Sequence, residues 1–138
     1  MTSTIIDTNI LVDVLEQRQP YLAWVQRAFT RLSEEGPLVI NQVIYGEASV
    51  PYPSKEDFDA LVLSDLLARE EVPWEAAFRA GKAFDEYRRR GGMRANTLPD
   101  FLIGAHAAVK GYRLLTRDGA RFRSYFPEVD VIAPDTHP

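Results

Sequence analysis

With 138 residues and no cysteine, the chain fits one domain that buries about two-thirds of its unfolded surface, so folding needs neither a disulfide nor a structural metal. The missing thiols exclude cysteine nucleophiles and thiolate metal centres and suit a reducing cytoplasm. The formal net charge of −4 argues against a protein coated in nucleic acid, but it is unevenly placed: Ser54 to Glu75 holds seven acids and two bases, Arg79 to Arg94 six bases and two acids.

The opening MTSTIIDTN lacks a basic segment followed by an apolar one, and no run approaches the ~18 apolar residues of a membrane span. A soluble, unprocessed, cytoplasmic protein without membrane association is the expectation. Ser3 to Ile6 reads as a strand carrying the β-branched pair Ile5 and Ile6, and Ile10, Leu11, Val14 and Leu15 then follow the spacing of one helix face. Asp7 and Asn9 fall on the turn between them, at the carboxyl end of a strand, where open α/β sheets bind ligands. Asp7 reads equally well as a helix cap.

Pro20 and Tyr21 open a second helix whose stripe is Leu22, Val25, Ala28, Phe29 and Leu32, with Gly36 in the place of a C-terminal stop. Pro37 to Ile40 reads as a buried strand. If Gln42 to Val50 is helical, Glu47 shares a face with Val43, Ile44 and Ala48, an expensive place for a carboxylate unless something compensates it. The alternative puts Glu47 at the rim of a short helix, in water.

Pro51 and Pro53 break that helix, and Ser54 with Asp57 starts another, with Phe58, Leu61, Val62 and Leu66 as its core stripe. A brief strand is expected at Glu71 to Pro73, and then the longest helical pattern runs from Trp74 through Ala77, Phe78, Gly81, Phe84 and Tyr87. It ends on Arg88, Arg89 and Arg90, which either complement the helix C-terminus or form a phosphate-contacting patch extended by Lys82 and Arg94. Gly91 to Thr97 reads as a mobile loop.

In TLPDFLIGAHAAVKG, Pro99 suits the first helical position and Gly111 the stop. Asp100 falls in the first turn on the apolar face of Ile103, Gly104 and Ala107, whereas His106 points off that face and reads as a solvated polar residue. Arg113 to Thr116 is a strand whose end carries Thr116, Arg117 and Asp118, and Val129 to Ile132 is a last one. Residues 134–138 read as a tail in which His137 is frayed.

Strands alternating with helices imply right-handed crossovers and an α/β fold, a three-layer αβα sandwich with a mainly parallel sheet of four to five strands spanning 1–133 as one domain. Asp7 and Asp118 then share a sheet edge, and Glu47 and Asp100 can join them. Four such carboxylates cannot all ionise without a compensating cation, and a hard divalent ion, Mg²⁺ or Mn²⁺, supplies it. The implied chemistry is in-line attack of activated water on a phosphodiester, with nearby arginines positioning the polyanion.

The motifs DTN, YGEAS, PDFLIGAHA and LLTRDGARFRSYFP together resemble the PIN domain, specifically the VapC-type toxins of bacterial and archaeal toxin–antitoxin pairs, over nearly the whole chain. The resemblance implies an acidic, metal-binding quartet of Asp7, Glu47, Asp100 and Asp118, supported by Asn9 and Thr116, with Arg88, Arg89, Arg90, Arg94 and Arg117 toward substrate. It implies a Mg²⁺- or Mn²⁺-dependent endoribonuclease acting on RNA, a homodimer, and neutralisation by a cognate VapB-type antitoxin. Competing expectations are a housekeeping PIN nuclease in RNA processing, a phosphatase-like enzyme with Asp7 as nucleophile, and a non-catalytic PIN-like binding module. The phosphatase pattern wants a second Asp two residues after the first, and Asn9 stands there.

Overall fold

The computed structural model describes residues 1–62, 66–92 and 96–138. Its centre is β1 (Thr4–Ile6), three residues without solvent exposure, paired in parallel with β2 (Leu38–Ile40) on one side and β4 (Arg113–Leu115) on the other. β3 (Leu67–Arg69) adds beyond β2 and β5 (Val131–Ile132) beyond β4, giving the order β3-β2-β1-β4-β5 with every pairing parallel. Short apolar strands of this kind are read when both sheet faces are covered. All five carboxyl ends therefore lie at one edge. The order reverses between β1 and β4, the topological switch point where α/β sheets open a crevice.

β1 and β2 are joined through α1 (Thr8–Glu16) and α2 (Leu22–Glu35), and β2 and β3 through α3 (Gln42–Ser49) and α4 (Lys55–Val62). The return to β4 uses α5 (Trp74–Arg89) and α6 (Leu98–Lys110), and α7 (Ala120–Arg123) precedes β5. Right-handed crossovers put the first four helices on one sheet face and the last three on the other, the expected three layers. α5 and α6 form the most extensive helix pair, closed at one end by Phe84 and Tyr87 against Phe101, with ring centroids 5.6 and 5.5 Å apart.

Several expectations need correction. The third strand is Leu67–Arg69, in register with Leu38 to Ile40, not Glu71 to Pro73. Within α4 (Lys55–Val62) the buried side is Phe58 and Val62, while Leu61 and, before β3, Leu66 face solvent. In α5 the buried side is the alanine line of Ala76 and Ala80, and Trp74 and Phe78 are exposed, because small side chains let this helix approach α6 closely. Gly36 ends α2 in an extended conformation; a Cβ there would run into the Thr2 carbonyl.

His106 is the largest departure. It is fully buried, since α6 is covered on nearly every side from Phe101 to Ala107. Its Nδ1 lies 3.0 Å from Asn41 Nδ2, and Nε2 stands 3.5 Å from Glu70 Oε1. Burial holds the imidazole below its ordinary pKa against the pull of Glu70. His137 is not frayed either: its carbonyl accepts the Trp24 indole N–H at 2.7 Å, and Arg123 grips Asp135 at 2.8 and 3.0 Å.

Candidate active site

Asp7 leaves the end of β1 and caps α1, with its carboxylate on the wall of a cleft. One carboxylate oxygen accepts the Thr8 backbone N–H at 2.7 Å and the other accepts the Thr116 hydroxyl, from the end of β4, at 2.8 Å. The residue is only 3 % exposed. Burial raises its pKa from 3.8 to about 6, against the two hydrogen bonds that favour the anion, and the nearby Asp100 charge adds to the rise.

Asp100 arrives from the first turn of α6. Thr97 and Asp100 make a capping box, in which Asp100 Oδ2 accepts the Thr97 backbone N–H at 2.8 Å and its hydroxyl at 3.2 Å. The T-x-x-D spacing was available in the sequence as a sign that Asp100 is fixed. Its other oxygen takes the Arg121 guanidinium at 3.1 Å.

Glu47 is at the rim of α3, exposed, while Ile44 and Ala48 take the buried side of that helix. The expectation that it shares the apolar face is thus corrected: the buried line of α3 runs through Ile44 and Ala48, four residues apart, and Glu47 falls to one side of it. Glu47 instead leans toward the start of α1, where its Oε1 accepts the Thr8 hydroxyl at 2.6 Å. Asp7, Glu47 and Asp100 line one cleft of about 240 Å³. Asp118 stands beside it, half-exposed, its backbone N–H donating to Thr116 Oγ1 at 3.1 Å and its carboxylate 3.3 Å from Arg121.

The cations of this cleft are Arg18, Arg117 and Arg121. Arg117 Nε lies 2.7 Å from the buried Asp13 and its guanidinium sits over the Tyr21 ring, while its backbone N–H reaches Asn9 Oδ1 at 3.3 Å. Asn9 therefore braces the β4 end against α1. Burial pushes the Asp13 carboxyl up, with Arg117 and Arg18 opposing. Arg88 to Arg90 end α5 near Phe101 but do not line the cleft; Arg89 pairs with Asp85, Arg90 with Glu86, and Arg88 covers Phe84. Arg94 lies outside the described residues.

Sequence reasoning missed Thr8, Asp13, Arg18 and Arg121 as members of the site. Asp13 carried a signal, since it falls three residues after Ile10 on the buried side of α1. Arg18 and Arg121 carried none beyond their charge.

The donor set is four carboxylates with no thiol or exposed imidazole, which suits a hard divalent ion preferring oxygen. As the side chains stand, no three acids or histidines among the described residues form a coordination shell. Arg121 instead lies between Asp100 and Asp118 and compensates their charge. A buried acid driven toward protonation by burial and a neighbouring carboxylate is what an added dication would relieve, so the residues fit such an ion once Arg121 yields.

Comparison with known proteins bears on the fold and the family. The fold matches a chain in the crystal structure of VapBC2 from Rickettsia felis bound to a promoter DNA fragment, with a TM-score of 0.74 and 16 % identity over 96 % of this chain and 98 % of that one. VapBC-1 from nontypeable Haemophilus influenzae gives 0.72 and 18 % over 96 % and 98 %, and FitAcB from Neisseria gonorrhoeae 0.67 and 18 % over 98 % and 99 %. No curated protein matches the sequence significantly. The PIN domain model matches residues 4–125, a span that includes Asp7, Glu47, Asp100 and Asp118, and the chain belongs to the PIN-domain family.

Proposed function

We propose that the chain is the toxin of a toxin–antitoxin pair, a Mg²⁺- or Mn²⁺-dependent endoribonuclease that hydrolyses RNA phosphodiester bonds. The observation that carries this reading is the convergence of Asp7, Glu47 and Asp100 on one cleft at the sheet's switch point, with Asp118 beside it and three arginines around it. Asp7, Glu47, Asp100 and Asp118 would hold the ion. Bound there, it supplies the charge that activates the attacking water and stabilises the leaving oxygen of an in-line displacement.

The chain's own residues do the rest. Thr116 and the Thr8 backbone fix both oxygens of Asp7, the Thr8 hydroxyl aims Glu47, and Thr97 aims Asp100, so the acids are oriented before any ligand arrives. Arg18 and Arg117, at the cleft wall, would take phosphate oxygens, and Arg88, Arg89 and Arg90 at the end of α5 would contact the substrate outside the cleft. Their pairs with Asp85 and Glu86 are exposed helix-surface contacts, which exchange readily for a polyanion.

A partner of the VapB antitoxin kind is supported by the fold likeness to chains of VapBC complexes. A homodimer and a cytoplasmic location belong to the same reading. Among the described residues no helix is long and apolar enough to cross a membrane. The phosphatase alternative is not favoured, because its pattern wants a second Asp two residues after Asp7 and Asn9 stands there.

The direct test is cleavage of single-stranded RNA by the purified protein with Mn²⁺, with a chelator, and with Asp7→Asn. The expected result is cleavage that the chelator abolishes and that Asp7→Asn lowers by at least about a hundredfold, a range typical of removing one preorganised charge from a catalytic site. Undiminished cleavage by Asp7→Asn would refute the assignment.

A further inference from the structure

Among the described residues, Arg121 is the cation whose guanidinium contacts two of the four acids. The single turn of α7 carries it three residues beyond Asp118, with its guanidinium 3.1 Å from Asp100 Oδ1 and 3.3 Å from Asp118 Oδ2. The backbone beneath it is held: Phe122, the next residue, is fully buried, and the Phe122 and Phe126 rings pack at Gly104 of α6, so a small residue there lets the two helices close up. The side chain itself is about a third exposed, so its guanidinium has solvent on one side.

A divalent ion needs the same oxygens at about 2.1 Å and carries two positive charges. A guanidinium and a dication a few ångströms apart repel, so the two cannot share Asp100 and Asp118. We propose that Arg121 is a resident counter-cation: it holds the acidic cluster together in the metal-free chain, and a divalent ion enters only as Arg121 leaves. Arg121 thereby weakens the chain's metal affinity and raises the ion concentration needed to switch the site on. Its departure also frees a guanidinium at the cleft wall. This inference rests on the proposed binding of a divalent ion by the four acids.

The test is a titration with Mn²⁺, followed by the electron paramagnetic resonance signal of the free ion, on the full chain and on Arg121→Gln and Arg121→Lys. The expected order of affinity is Gln above Lys above wild type, with Arg121→Gln binding at least about tenfold more tightly, because a competing charge within a few ångströms is gone. Without metal, Arg121→Gln melts lower than wild type, and saturating Mn²⁺ removes the difference. In the unmodified chain, the Arg121 Nε–H resonance shifts over the same Mg²⁺ range that fills the site, a readout independent of how the variants fold. Equal or weaker binding by folded Arg121→Gln, or an Arg121 resonance indifferent to Mg²⁺, overturns the role of Arg121 and leaves metal binding standing. Failure of every form to bind Mn²⁺ overturns both.

Discussion

Asp7 is the residue on which the site's electrostatics turn, and its burial makes a prediction about pH. Its folded pKa of about 6 lies above the ordinary 3.8, so between about pH 4 and pH 6 the folded chain keeps a proton that the unfolded chain has released. Stability therefore falls as pH rises through that window, by about 3 kcal/mol for a shift of this size. Asp7→Asn is expected to lose that slope and, with metal chelated at neutral pH, to melt higher than wild type by an amount worth about 1–3 kcal/mol. Adding Mg²⁺ should stabilise wild type and leave Asp7→Asn nearly unmoved, since only a native-state ligand raises stability. Melting curves at about pH 5 and at neutral pH, with and without chelator, check this; an unchanged slope in Asp7→Asn would contradict the burial argument.

At the scale of elements, α6 does two jobs, and both depend on fit. Its first turn aims Asp100, while its middle lets Phe126 and Phe122 approach Gly104 so closely that a Cβ there would lie 2.5 Å from the Phe126 ring. Gly104→Ala is expected to destabilise by about 1–3 kcal/mol through overpacking, despite alanine's better helix propensity, and to disturb α7 with its Arg121. Chemical denaturation measures it; a stabilised variant would mean that the rings move aside freely. The elements were legible in the sequence where apolar spacing and punctuation agreed, as at β1, β2, α1 and α2. They were illegible where bulk misled: Trp74 and Phe78 looked like core, yet alanines face α6. His106 was misread because a helix covered on nearly every side has no polar face to which a histidine can be assigned.

The whole molecule brings the acids together by topology rather than by any local motif. Parallel strands in the order β3-β2-β1-β4-β5 put the ends of β1 and β4 side by side, so Asp7 and Thr116, 109 residues apart, share a hydrogen bond. Alternating strands and helices were enough to put Asp7 and Asp118 at one sheet edge in the sequence, whereas Glu47 and Asp100 joined the candidate set through the family resemblance. The arginine set could not be chosen from the sequence: charge says nothing about direction, and Arg121 turns inward to the acids while Arg88 to Arg90 stay outside the cleft. On the proposed ribonuclease reading, the arginines that line the cleft beside the acids would hold the RNA there. The measurement that bears on this most directly is a transcriptome-wide map of new RNA 5′ ends after brief induction of the chain without an antitoxin, beside Asp100→Asn. Discrete cuts present with wild type and absent with Asp100→Asn are predicted, whereas identical maps from two folded proteins would contradict a ribonuclease built on these acids.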